Sequence, residues 1–204
     1  MVILAIGPHP DDIEFGCFGT LAKLYNNKGE KIFFLILTDG EIGGDPNQRK
    51  IEAEKSAKLI NAEVIFLGEK DGYIKHNASL VNIIGNKIKE LKPSIIFATF
   101  YLDTHQDHVA TSRSVISASS NINILLLYET PSTVNMDPNV FIEISKTIDL
   151  KIKALKIHKS QQKKSYFDLD QIKALHLYYG WKVKKRMSYY EAFYLYKYLD
   201  GNII

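Results

Sequence analysis

Val2-Ile3-Leu4-Ala5-Ile6-Gly7-Pro8-His9-Pro10-Asp11-Asp12-Ile13-Glu14-Phe15-Gly16 is the stretch that decides how this chain is read. Its first five residues are apolar and rich in β-branched side chains, the pattern of a short buried strand. Gly7-Pro8 stops that strand, and one imidazole and two adjacent carboxylates follow before an apolar helical pattern begins. The order strand, polar turn, helix places chemically active side chains at the carboxyl end of a first strand. The same arrangement returns at Thr104-His105-Gln106-Asp107-His108, which follows the apolar run 94–100.

Working outward, strands are predicted at 31–37, 63–67, 94–100 and 123–128. Helices are predicted at 16–28 (ended by Gly29), 48–61, 80–91 and 108–119, with a Gly- and Pro-bearing loop at 38–47. Near-continuous hydrophobic strands alternating with helices indicate a parallel sheet covered on both faces. Right-handed crossovers make this a single α/β domain over 1–204, Rossmann-like, with a mostly parallel twisted sheet and helices on both faces. Strand order 3-2-1-4-5 is the expectation for that fold class. Ligands bind such sheets beyond the carboxyl ends of the strands, at the point where strand order reverses. His9–Asp12, Thr38–Glu41, Asp71, His105–His108 and Tyr128-Glu129 all fall at that edge, and strands one and four carry the two histidine clusters. After Pro131 the pattern changes: a short strand is predicted at 141–144 and helices at 145–160 and 168–179. The aromatic-rich segment 189–199 has no clear type.

Composition excludes several classes. The 46% hydrophobic and 24% charged fractions belong to an ordinary globular protein, and a net charge of +3 gives no ground for nucleic-acid binding. The basic cluster 182–186 reads as a solvated face. Cys17 is the lone cysteine, so neither an intrachain disulfide nor a cysteine-based zinc knuckle can form. No apolar stretch is long enough to span a bilayer, and no basic region precedes an apolar core at the N-terminus. No membrane insertion and cytoplasmic residence are therefore the expectations.

With no second cysteine, any metal is held by nitrogen and oxygen donors. His9 and Asp12, three apart across a turn, could supply two ligands and His108 a third. Asp11 would then be free to take a proton from water activated at the metal. Read alone, Asp12 could equally cap the following helix and Pro10 shape the turn. His105 and His108 could share one helix face, with Asp107 orienting an imidazole. Both clusters lying at strand ends of one sheet favours the metal reading.

His9-Pro10-Asp11-Asp12, His105-Gln106-Asp107-His108 and the intervening Gly16-Cys17-Phe18-Gly19-Thr20-Leu21 resemble the LmbE-like (PIG-L) family of metal-dependent N-deacetylases. Arg49 and Glu52, the Phe66-Leu67-Gly68 to Asp71-Gly72 stretch, and Lys153-Ala154-Leu155 with His158-Lys159-Ser160-Gln161 extend the likeness over most of the chain. The resemblance implies His9, Asp12 and His108 as metal ligands and Asp11 as general base. It implies His105 as oxyanion stabiliser, held in position by Asp107, and Arg49 and Asp71 as contacts to sugar hydroxyls. Zinc is the implied cofactor, although the donor set also suits iron, manganese or cobalt. The implied substrate is a small-molecule N-acetylated amino sugar or its conjugate, and the implied assembly a homo-oligomer. Phe18 stands where many relatives have glycine, and Gln106 where proline is commoner.

The expected function is therefore zinc-dependent removal of an N-acetyl group with release of acetate. An amidase acting on another N-acylated metabolite and a non-catalytic sugar- or nucleotide-binding module are the alternatives. Gly16 and Gly19 do not form a G-x-G-x-x-G fingerprint and are expected to allow close helix–strand packing. Cys17 is expected to be buried packing, His158 structural or interfacial, and His76 and His176 surface residues. Glu129 could line the pocket or simply end a strand.

Overall fold

The computed structural model describes residues 1–199. Strand β1 (Val2–Gly7) is central, because Ile3 and Ala5 point into one hydrophobic core and Leu4 and Ile6 into the other. β2 (Lys31–Thr38) pairs parallel on one side and β4 (Ile95–Thr99) on the other. β3 (Glu63–Glu69) adds to β2, and β5 (Ile124–Tyr128) to β4, so the expected 3-2-1-4-5 order holds. Two antiparallel strands, β7 (Tyr190–Tyr198) and β6 (Val140–Glu143), complete a 7-stranded sheet in the order β3-β2-β1-β4-β5-β7-β6. The segment of unassigned type is thus an interior strand. Phe193 packs edge-on against Phe97 on one face while Tyr194 meets Phe100 and Tyr101 on the other, so no one-sided alternation marks it.

On the first face lie α1 (Asp12–Gly16), α2 (Phe18–Lys28), α3 (Pro46–Ala57) and α6 (Ile148–Ile157). The opposite face carries α4 (Ala78–Leu91) and α5 (Gln106–Ala118). α4 shows why such segments are helical: Leu80, Ile84 and Ile88 recur every fourth residue and bury, while Asn77 caps Leu80 N–H at 3.0 Å. Asp45 caps α3 at Gln48 N–H with Pro46 in its first turn, so that helix begins two residues earlier than predicted. It ends in a 3₁₀ turn, Lys58–Ile60. No described helix is long and apolar enough to cross a membrane.

The helix predicted at 16–28 is in fact broken at Cys17, and the break has a packing cause. Gly16 lies on the ring of Tyr128; a Cβ there would come within 1.9 Å of Cδ2. The Tyr128 hydroxyl in turn donates to the Ile6 carbonyl at 2.8 Å, fixing the end of β1. Cys17 is fully buried at the junction, as expected. α2 restarts without a cap from its own neighbours. Glu191 on β7 supplies one instead, accepting from Gly19 N–H at 2.9 Å and Thr20 N–H at 2.7 Å. Lys151 on α6 pairs with Glu191 at 2.5 Å and donates to the Phe15 carbonyl at 2.6 Å; both side chains are fully buried.

His176 corrects an expectation. It sits on the inner face of α7 (Leu169–Lys182), buried with Tyr179 and Gly180, and its Nδ1–H donates to the Tyr190 carbonyl at 3.0 Å. Polar and apolar residues are mixed around α7, so its buried face was not visible in the sequence. His76 is exposed, as expected. Phe18 packs against Phe34 in the core rather than entering a pocket.

Leaving one member of a buried ion pair unpartnered costs about 3–5 kcal/mol. Lys151→Met should therefore lower the unfolding free energy of the metal-free protein by about that amount in urea titrations. Adding Glu191→Leu should not restore it, because the Gly19 and Thr20 N–H groups would lose their acceptor; full recovery would show that the carboxylate has no capping role.

Candidate metal centre and active site

The turn after β1 is fixed from the next strand. Thr38, at the end of β2, donates both its N–H and its hydroxyl to the Pro8 carbonyl, each at 2.9 Å. Asp11 then adopts φ 138° and ψ −25°, a backbone conformation that non-glycine residues rarely hold. It occupies the cap position of α1 but makes no side-chain cap. Asp12 does not cap the helix either: its carboxylate accepts from His9 N–H at 2.9 Å and faces two imidazoles. The turn serves the site.

His9 Nδ1 lies 3.2 Å from Asp12 Oδ2, and His108 Nε2 lies 3.4 Å from Asp12 Oδ1. Ligand atoms about 2.0–2.1 Å from a tetrahedral ion stand about 3.4 Å from one another. All three residues are buried and offer ligand atoms within 4.8 Å of one another, so the donor set fits a divalent ion such as zinc. The remaining ring nitrogens support this. His9 Nε2 faces Asp71 Oδ1 at 3.1 Å and Asp107 Oδ2 at 3.3 Å. His108 Nδ1 faces Asp103 Oδ2 at 3.1 Å and Thr130 Oγ1 at 3.0 Å. Carboxylates on the outer nitrogens fix the tautomers that leave His9 Nδ1 and His108 Nε2 for an ion. His9, His105 and Asp107 form a second close group, but the Asp107 carboxylate is taken up by the N–H groups of Gly72 at 2.6 Å and Ile74 at 3.2 Å.

The charges compensate one another. Burial works against a proton on His9, yet hydrogen bonds to Asp107, Asp12 and Asp71 raise its pKa well above the ordinary value. His108 is likewise raised, by Asp12 and Asp103 against burial. Burial pushes Asp12 upward, but His108 and His9 hold it well below the usual carboxylate range. Asp11 goes the other way: burial lifts it to about 6, opposed by the Arg49 guanidinium, whose Nη2 lies 3.3 Å from Oδ1.

His105 caps α5 by accepting the Asp107 N–H on Nδ1 at 3.2 Å. Burial and the neighbouring His9 and His108 lower its pKa. In the neutral ring the hydrogen therefore resides on Nε2. Asp107 thus holds His105 through its backbone, not its carboxylate, which serves His9 instead. Arg49 and Asp71 also have prior engagements. Arg49 donates to the carbonyls of Gly40 at 2.7 Å and Pro10 at 2.9 Å, and Asp71 accepts Ile42 N–H at 2.9 Å besides facing His9. Both still stand in the wall of the cavity above the triad, whose volume is about 310 Å³. His9, Asp11, Asp12, His105 and His108 line it too, with Phe15 and Tyr166 at its side.

Sequence reasoning missed Asp103, whose fully buried side chain holds His108. The signal was available, a carboxylate one residue before the Thr104–His108 cluster. It also missed the pair behind the turn. His158 is fully buried with Nε2 3.0 Å from Glu14 Oε1, the oxygen that Ser56 Oγ also engages, so it is structural and not interfacial. Gln106 is exposed and donates to the Gly72 carbonyl at 3.2 Å, disturbing neither neighbour. Glu129 lies outside the catalytic cavity, in the wall of an adjoining one.

Comparison with known proteins identifies the family. The family model described as GlcNAc-PI de-N-acetylase (PIG-L) matches residues 4–119. The uncharacterized deacetylase YaiS of Escherichia coli is 36% identical over 168 residues, covering 78% of this chain and 90% of that protein. Diacetylchitobiose deacetylase of Thermococcus kodakarensis is 27% identical over 207 residues, covering 87% and 77%. The crystal structure of the conserved protein TT1542 from Thermus thermophilus superposes with a TM-score of 0.85 at 26% identity, covering 97% of this chain and 95% of that one. The chain belongs to the PIG-L family and is a hydrolase of its metal-dependent N-deacetylase class.

Proposed function

We propose that this site removes the N-acetyl group of an N-acetylglucosamine-type amino sugar or its conjugate, with zinc held by His9, Asp12 and His108. Asp11 carries the reading: a buried carboxyl beside the triad and outside the donor set, lifted to about 6 by burial against the opposing Arg49 guanidinium 3.3 Å away. The diacetylchitobiose deacetylase relative supports an acetylated amino sugar as substrate.

His9, Asp12 and His108 would hold a divalent ion, which when bound would supply polarisation of the amide carbonyl and a more acidic water molecule. Asp11 accepts a proton as that water attacks the carbonyl carbon. His105 presents Nε2–H to the oxygen that gains negative charge. Asp11 or His105 then delivers a proton to the nitrogen as the carbon–nitrogen bond breaks, giving the amine and acetate. Arg49 and Asp71 hold Asp11 and His9 in place and face the sugar from the cavity wall. Asp107 fixes His105 and His9 together. A non-catalytic binding module would have no use for the uncommon backbone that places Asp11.

A screen of acetylated amino sugars with added zinc, reading acetate release, tests the activity; no release across the panel, with full metal occupancy, would count against it. Asp11→Asn should keep the metal and lose about 10²–10⁴-fold in turnover, the range for a general acid–base group. Asp12→Ala and His108→Ala should lose the metal as well, measured by elemental analysis. Asp103→Ala should weaken zinc affinity about 10–100-fold in chelator competition while the protein stays folded, as expected when a histidine ligand loses its carboxylate partner.

A further inference from the structure

Next to the catalytic cavity is a second one of about 330 Å³. Phe15, Pro131 and Tyr166 line both, and the rings of Phe15 and Tyr166 meet edge to face at 5.9 Å. Apart from Thr130, whose hydroxyl faces His108 Nδ1 at 3.0 Å, the chemistry described above uses nothing from the rest of the second wall. Ile172 and Leu175 give it an apolar side, while Glu129, Asp168, Gln171 and His176 give it a polar one.

The polar side is rich in acceptors. His176 is 4% exposed, and its Nδ1–H is committed to the Tyr190 carbonyl. Burial and the charge of Lys151 hold the imidazole neutral, which leaves the lone pair on Nε2, an atom with no hydrogen-bond partner. Glu129, at the exit of β5, receives a hydrogen bond from Tyr179. Asp168 adds a second carboxylate. No lysine or arginine lines this cavity among the described residues. An anionic guest would meet the carboxylates of Glu129 and Asp168 and no cation in the lining. The positive charge that acts on Glu129 is the Lys151 ammonium, already paired with Glu191. A ring with hydroxyl donors on its edge and C–H groups on its faces would satisfy both sides.

We propose that this second cavity receives the sugar or other hydroxyl-rich ring joined to the N-acetylated one, and that it selects an uncharged neighbour over an anionic one. The inference rests on the deacetylase reading above. Each cavity lies near the lower bound of about 300 Å³ for small-molecule sites, so a two-ring ligand spans the pair across the Phe15–Tyr166 edge.

The test uses the zinc-loaded full chain with three substrates: N-acetylglucosamine, its β-linked dimer, and a conjugate of N-acetylglucosamine with a dicarboxylic hydroxy acid. The dimer should exceed both others in kcat/KM by about tenfold or more, the gain expected from roughly 1.4 kcal/mol of added binding. Leu175→Trp, which fills the cavity from its rim, should bring KM for the dimer to the monosaccharide level and leave monosaccharide kcat unchanged. Glu129→Lys should shift preference toward the anionic conjugate. Equal kcat/KM for dimer and monosaccharide, or a dimer preference that survives Leu175→Trp, would overturn the proposal. So would a gain for N-hexanoylglucosamine that Leu175→Trp abolishes, since the cavity would then hold an acyl chain. If no substrate is cleaved, the deacetylase reading fails and calorimetry with the same sugars decides separately: tighter dimer binding lost in Leu175→Trp keeps the cavity assignment, and equal binding removes it.

Discussion

Crowded negative charge at the carboxyl edge of the sheet is the constraint on which the site depends. Asp11, Asp12, Asp71, Asp103 and Asp107 converge there, out of water, on two imidazoles and one guanidinium. Burying uncompensated carboxylates is costly, so the cluster is tolerable only as a set. The directions of the pKa shifts express this. His9 and His108 are raised and Asp12, Asp71 and Asp103 are lowered, each by its opposite neighbours against burial. Asp11, by contrast, is raised by its burial. A divalent cation held by His9, Asp12 and His108 would replace imidazole protons and preserve the balance.

The fold follows from the same edge. Parallel strands buried on both faces bring the ends of β1, β2 and β4 together, and each end contributes differently. β1 delivers His9 to Asp12; β2 pins their turn through Thr38; β4 leads to Asp103, His105 and His108. Neither half of the donor set is complete alone, which is why residues nearly a hundred positions apart form one centre.

Much of this was legible in the sequence. The parallel strands showed as apolar runs, their order was the expectation of the fold class, and the two histidine clusters announced themselves by standing at strand exits. The unread parts share a physical reason: their meaning depends on partners far along the chain. Glu191 looks like one acid in an aromatic stretch until β7 brings it to the start of α2. Glu14 and His158 are ordinary until they meet behind the turn. His176 looked like a surface residue because α7 buries a face with no clean polar–apolar division. β7 itself packs on both sides, so period-two alternation could not reveal it. At the site, residue types fixed what each group could do, whereas the choice of partner for Asp107 and Asp71 came only with three-dimensional contact.

The support given to α2 by Glu191 bears on how the protein is made. The candidate donors His9, Asp12 and His108, with Asp11 and His105 beside them, are all present once the chain has reached His108. The carboxylate that holds the second helix in place arrives 83 residues later, with Lys151 in between. During synthesis the chemical groups therefore exist before their foundation does. Until β7 enters the sheet between β5 and β6, the nascent chain carries a cluster of acids and imidazoles on an unfinished scaffold. Completion of the scaffold then depends on β7 reaching the sheet, not on the early appearance of the cluster.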